Sequence, residues 1–289
     1  MNASVATAAA PRPAASRRRH LHPGFRLTLG VTAAYLGLIV VLPIAAAFLS
    51  LIGMSPAEIW ALATDDRVLA AYRLSFGLAL AAALINLVFG TVTAWVMVRY
   101  RFPGRRLLDA MVDLPFALPT AVAGIALASL YAGNGWLGKP LAALGIEVAF
   151  KPLGILVALV FVGLPFVVRT VQPVLEDLDP ALEEAAATLG ASRWQSLSRI
   201  VARHVAPAAM TGFTLSFSRA IGEYGSVIFI AGNIPYSSEI APLLIVVRLE
   251  QYDYAGATVL AVAMLLISFL MLLVINLAQR WGSRPTMAM

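Results

Sequence analysis

Cysteine is absent from the chain, which excludes disulfides, thiolate metal sites and a thiol nucleophile. Histidine is almost absent: His20, His22 and His204 are too scattered to form a metal cluster. Charge is scarce as well, at 12% of 289 residues, while 60% are hydrophobic. A soluble domain of this length does not bury so much apolar surface, so the composition points to an all-α, polytopic membrane protein. The 21 basic against 15 acidic residues would suggest a nucleic-acid partner in a soluble chain. Here the excess is expected on one side of a membrane, with lipid as the partner and no nucleic acid.

What the chain does have is long uncharged runs. Residues 27–57, 74–98, 114–138, 152–168 and 254–279 carry no Asp, Glu, Lys or Arg, and 204–238 carry only Arg219 and Glu223. A helix crosses the bilayer core with about 20 apolar residues, so each window is expected to hold one transmembrane helix, six in all. The expected cores are 27–50, 75–98, 110–132, 153–171, 208–231 and 256–279. Ile240 to Val247 is apolar but too short to span, and reads as a re-entrant or interfacial helix between the fifth and sixth spans.

Arginine placement orients these helices. With the amino terminus in the cytoplasm, fifteen of the 21 basic residues fall inside, among them Arg17, Arg18, Arg19, Arg99, Arg101, Arg105, Arg106, Arg169 and Arg203. Five fall outside, at Arg67, Arg73, Lys139, Lys151 and Arg248, and Arg219 lies within a helix. This obeys the positive-inside rule and puts both termini in the cytoplasm. Residues 1–24, rich in Ala, Pro and Arg, are expected to be a disordered tail. The apolar run that follows is longer than a signal-peptide core, so a retained first helix is favoured over a cleaved signal. The expected organisation is that tail, a first helix and external loop over 25–72, a transmembrane core over 73–281 with a cytoplasmic loop at 172–207, and a tail at 282–289.

The loop has its own grammar. Asp179 can cap a helix with Pro180 at its first position, and Gly190 can end it. Ser192 with Gln195 reads as a capping box that opens a second helix. Glu183 and Glu184 sit in the first turns, where the helix dipole favours negative charge. Ala185, Ala186 and Gly190 are small enough for a helix backbone to settle into a partner's groove. Glu184-Ala185-Ala186, three residues, Gly190, nine residues and Ile200 resembles the EAA loop of ABC importer permeases, which docks on the ATPase subunit. The family continues with any residue and then Leu-Pro, whereas Ala202-Arg203 stands here. An ordinary amphipathic loop is the bland alternative, and a DNA-reading helix-turn-helix does not fit between two spans.

Arg219 and Glu223 lie four apart on the fifth expected helix, so they share a face and can pair. A lone charge at mid-bilayer costs at least about 2.5–3.5 kcal/mol, so such residues face a partner or a cavity. Two readings stand: Arg219 on an anion pathway with Glu223 limiting how tightly the anion is held, or an ion pair that locks the bundle. Gly222 and Gly225 permit close approach or a local break. Pro115, Pro119 and Pro165 fall within spans and are candidate helix bends, lining a cavity or kinking the packing. Residues 133–140 imitate a P-loop but end in Pro140 where Ser or Thr would hold magnesium, so an ATP site belongs to another subunit. No His, Cys or paired-carboxylate cluster lies in the spans, so no catalytic residue or metal ligand is expected and the chain does not read as an enzyme.

Beyond the loop, Asp113-Leu114-Pro115-Phe116-Ala117-Leu118-Pro119-Thr120 and the run from Ser216 to Thr258 are similar to the T-type permease subunits of bacterial sulfate/thiosulfate ABC importers. The resemblance covers about residues 25–281. It implies a type I ABC importer permease fold in the inner membrane. The implied partners are a homologous W-type permease subunit, two ATPase subunits and a periplasmic sulfate/thiosulfate-binding protein. No cofactor would be bound by this chain, with ATP and Mg on the ATPase. Molybdate and tungstate permeases share the core around 219–223, and both anions are tetrahedral and doubly charged like sulfate. An ion-coupled secondary anion transporter is the more distant alternative: it would need acidic residues in several spans, and Glu223 is the only one near mid-membrane.

Overall fold

The computed structural model describes residues 24–282, so the tails expected at 1–24 and 282–289 lie outside it except for Gly24 and Gly282. The described residues fall into two units, divided between Leu49 and Ser50. The first is a single apolar helix, α1 (Phe25–Leu49), 25 residues long. It contains one π turn, Gly37–Val41, where the Leu42 amide reaches back to the Gly37 carbonyl. Pro43 follows at once and has no amide to donate, so the ladder loosens just ahead of it.

The second unit is helical throughout its regular structure. It opens with α2 (Pro56–Ala63), capped by Ser55, and α3 (Asp66–Arg99), capped by Asp65. Then come α4 (Arg105–Ala117), α5 (Thr120–Tyr131), the short α6 (Gly138–Ala143) and α7 (Pro152–Glu176). A polar pair follows, α8 (Pro180–Thr188) and α9 (Arg193–Ser196), the latter running through a π turn at Leu197–Val201 into α10 (Ala202–Ile221). The chain ends with α11 (Val227–Ile230), α12 (Ala241–Glu250) and α13 (Tyr254–Gly282).

Among the described residues, four helices are long and apolar enough to cross a membrane: α1, α3, α7 and α13. The third expected core, 110–132, is not one straight helix but two, α4 and α5, bent by 115° at Leu118–Pro119; counted as one span, the pair makes a fifth. Leu118 is extended because the ring of the following proline excludes it from the helical region. The fifth expected core, 208–231, is also divided. Its helix α10 starts early, with Arg203 and His204 in the first turn, and stops at Gly222. It is not among the four apolar helices. The apolar stretch at 240–247 forms α12, whose Ala241, Leu243 and Leu244 are buried and whose first amide donates to Ser75 Oγ of α3 at 2.8 Å.

Helices α3, α7 and α10 make the centre of this unit. One apolar cluster joins Val68, Phe76, Ile155, Leu159, Phe217 and Leu260; a second joins Met97, Val112, Val168, Leu175, Val201 and Val205. Small residues bring the backbones together. A Cβ on Gly163 of α7 would stand 2.4 Å from Ser216 Oγ and 2.5 Å from Asn86 Nδ2. Those two side chains, wholly buried, hydrogen-bond each other at 3.1 Å and so link α3 to α10. In an apolar surround, such packing and interhelical hydrogen bonding fix which faces meet.

Candidate functional site

Two polar regions stand out against the apolar bundle. The first is the α8–α9 pair. Asp179 Oδ1 accepts the Ala181 amide at 2.9 Å, with Pro180 at the first helical position. Gly190 takes φ +82°, its amide donating to the Ala187 carbonyl and that of Ala191 to the Ala186 carbonyl. This doubly bonded left-handed ending is one that a side chain at the same position disfavours. Ser192 Oγ then accepts the Gln195 amide while Gln195 Oε1 accepts the Ser192 amide, which is the expected capping box. Each cap lies within five residues of what it satisfies, so the sequence alone specifies it.

The surface this creates is apolar in places. Leu189 is 88% exposed and Trp194 is 73% exposed, beside a half-exposed Leu182. Glu184 and Ala185 are exposed, while Ala186 and Ile200 are partly buried. No residue of α8 is buried. At its root the segment is anchored by Leu178, Val201 and Val205 in the second apolar cluster. Arg99, the last residue of α3, pairs with Glu183 and lies over the Trp95 ring, 5.0 Å from its centroid.

The second region is the break between α10 and α11. Glu223, 2% exposed, pairs through Oε2 with Arg219. Its Oε1 accepts both the amide and the hydroxyl of Ser226, each at 2.8 Å. One carboxylate thus engages the last turn of α10 and the amide just ahead of α11. Arg219 keeps about a third of its side-chain surface exposed (34%). The break also lies against the first turn of α5: a Cβ on Gly225 would stand 2.2 Å from Thr120 Oγ1, and one on Gly124 would stand 2.3 Å from the Ser226 carbonyl oxygen. Two interrupted helices therefore touch at their interruptions.

The candidate bends take three different positions. Pro119 is the residue on which α5 starts, at the 115° corner. Pro115 lies in the last turns of α4 just before it. Pro165 is buried inside α7, which continues through it to Glu176, and the neighbouring Phe166 packs edge-on against Phe116 at 5.2 Å.

Sequence reasoning missed the Arg99–Glu183 pair and two further ionic clasps. Arg169 of α7 grips α4: Nε and Nη2 donate to the two Asp113 carboxylate oxygens at 2.8 and 2.6 Å, and Nη1 donates to Asp109 Oδ1 at 2.7 Å. Asp109 and Asp113 lie four apart on one helix face, a spacing that could have suggested a common partner. Arg67 donates from Nε and Nη2 to Glu239 at 2.7 and 2.6 Å across 172 residues, for which no local pattern exists.

Residues 86–284 match the family described as binding-protein-dependent transport system inner membrane component. The chain is 51% identical over 272 residues to the sulfate transport system permease protein CysT of Escherichia coli (strain K12), covering 94% of this chain and 98% of that protein. It is 52% identical over 254 residues to the protein of the same name from Synechocystis sp. (strain ATCC 27184 / PCC 6803 / Kazusa), covering 88% and 89%. Among solved structures, the fold is similar to that of a bacterial alginate ABC transporter in complex with an alginate pentasaccharide-bound periplasmic protein. There the TM-score is 0.75 at 15% identity, over 90% of this chain and 94% of that one. The MetNI methionine ABC transporter, in an inward-facing conformation, gives 0.53 at 18% identity, over 78% and 96%. At such identities these two likenesses concern the fold alone, which is that of type I ABC importer permeases. With half of its residues shared with permease subunits along nearly their whole length, the chain belongs to the binding-protein-dependent transport system inner membrane component family.

Proposed function

We propose that this chain is the permease subunit of an ATP-driven importer that carries sulfate, and thiosulfate with it, across the bacterial inner membrane. The observation that carries this reading is the identity of 51% along 98% of a sulfate transport system permease protein. A homologous W-type permease subunit completes the pathway, two ATPase subunits hold ATP and Mg, and a periplasmic binding protein delivers the anion. The arginine asymmetry supports cytoplasmic termini and a cytoplasmic α8–α9 pair. The exposed Leu182, Leu189 and Trp194, on a pair of helices capped at Asp179, Gly190 and Ser192, suit a rigid plug docked in an ATPase groove. Glu184, Ala185, Ala186, Gly190 and Ile200 are its coupling residues. ATP binding on the ATPase pair would press on this plug and turn the cavity outward.

Arg219 and Glu223 are the pathway candidates, with divided roles. Glu223 is fully occupied by Arg219 and Ser226 and holds the break together, while the partly exposed Arg219 can donate to a tetrahedral dianion. Pro115 and Pro119 flank the corner that leads into this region, and Pro165 is a further candidate bend within α7. Arg219→Gln should lower the rate or the apparent affinity of uptake, and so should the neutral pair Arg219→Gln/Glu223→Gln. Full activity in the neutral pair would reduce Arg219 to a structural partner.

The whole reading is tested by radiolabelled sulfate uptake in a bacterium lacking its own subunit, restored with this chain or its Gly190→Glu variant. A Cβ at Gly190 meets nothing within 4 Å, so the substitution strains a turn and fills the docking face without displacing the bundle. Uptake by the parent alone, competed by thiosulfate and not by molybdate, is the expected result. No restoration in the presence of intact partners, with molybdate carried instead, would overturn the choice of anion; normal uptake by Gly190→Glu would overturn the coupling role.

A further inference from the structure

We infer that Arg99 is a positioning residue for coupling: it ties helix α8 directly to the cytoplasmic end of α3. The inference rests on the reading of residues 172–207 as the coupling segment. Because α8 has no fully buried residue, with Glu183 and Ala186 only partly covered, packing fastens it weakly. Its ends join α7 through the turn at 177–179 and α9 through the turn at 189–192. Among the described residues, the ion pair that joins α8 to a spanning helix is Arg99–Glu183, between positions 84 apart in sequence.

The pair is built rather than incidental. Arg99 is the last residue of α3, where a cation complements the helix dipole, and Glu183 is in the first turn of α8, where an anion does. Both side chains are mostly withdrawn from solvent, 25% and 30% exposed. The Trp95 ring, one turn back along α3, supports the guanidinium from beneath. The α3 helix runs 34 residues from Asp66 and contributes to both apolar clusters. A displacement of α8 is therefore delivered to the whole bundle through α3, in addition to the covalent route through α7 and α10. The opposite end of α3 is clasped too, by Arg67 to Glu239 beside α12.

A tie of this kind affects the efficiency of coupling more than the ability to fold or to hydrolyse ATP. The test uses the complete transporter, with its ATPase subunits and binding protein, in proteoliposomes, and measures sulfate carried per ATP hydrolysed. Arg99→Gln and Glu183→Gln should each lower that ratio by about threefold, the shift that one solvent-bordering ion pair supports, with assembly unchanged. The conservative variant Arg99→Lys, which keeps a cation over Trp95 and beside Glu183, should retain most of it. Arg99→Gln and Glu183→Gln variants with the parental ratio, or an Arg99→Lys variant that falls as far as Arg99→Gln, would overturn the tie. Gly190→Glu is run alongside to separate the two readings. If it blocks import while the Arg99 variants behave as the parent, the tie alone is wrong; if it imports normally, the coupling segment itself has been misread.

Discussion

The α8–α9 pair and the break after α10 both leave backbone groups outside a helix ladder, and they satisfy them by different means. In the pair, each end is closed by its own neighbours: Asp179 on Ala181, Gly190 on Ala187, Ser192 and Gln195 on each other. In the break, one buried carboxylate is shared between Arg219 and Ser226, and a second interrupted helix closes over it. Water can replace a lost cap at an exposed turn, but nothing replaces a lost partner at a buried one. The difference is between many small, independent contributions and a few coupled ones.

The largest expected effect lies in the break. Arg219→Leu leaves Glu223 with Ser226 alone. An uncompensated buried partner costs about 3–5 kcal/mol, and because Arg219 borders solvent the cost falls at the low end. Glu223→Gln should cost clearly less, since the amide oxygen still accepts from Ser226 and Arg219 is partly exposed. Thermal unfolding of the detergent-purified protein ranks the two, and an inverted order would break the comparison. Next comes Gly225→Val. Its Cβ would stand 2.2 Å from Thr120 Oγ1, an overpacking worth about 1–3 kcal/mol in the same assay. Adding Thr120→Ala should return part of that loss. Ser192→Ala in the capping box should cost about 1 kcal/mol, visible as faster amide exchange confined to α9. A loss spread over the bundle would mean that the pair is not independent.

The smallest effect is a pH dependence outside the spans. The Gly256 amide, together with Arg248, holds the Asp253 carboxyl below its ordinary value. A depressed acid stabilises the fold above its unfolded pKa, about 3.9, and that contribution is lost as pH falls through the folded value. Asp253→Asn should therefore lower the unfolding temperature slightly at pH 6, and the gap to the parent should close as the pH is brought below 4.

What was legible in the sequence follows the same division. The caps at 179, 190, 192 and 195 and the Arg219–Glu223 pair were readable because each depends on residues no more than five apart. The corner at Leu118–Pro119 was read as a kink within one span. Composition records only that the segment is apolar, while the angle depends on what α4 and α5 pack against, including the grip of Arg169 on Asp109 and Asp113. The end of α10 at Gly222 was visible only as a permissive pair of glycines around Glu223; Ser226 gave no sign that it would be the second partner. Arg67 counted as one external charge, because nothing local announces Glu239.

The hydrogen bond between Asn86 and Ser216 joins positions 130 apart. At about 5–20 residues per second of synthesis, α3 is complete on the order of ten seconds before its partner exists. During that interval Asn86 stands in the membrane, or beside the insertion machinery, without Ser216 to accept its amide hydrogen. The centre of the bundle is therefore assembled after its parts have been threaded, and the order of the genetic message sets how long a polar side chain must wait in lipid.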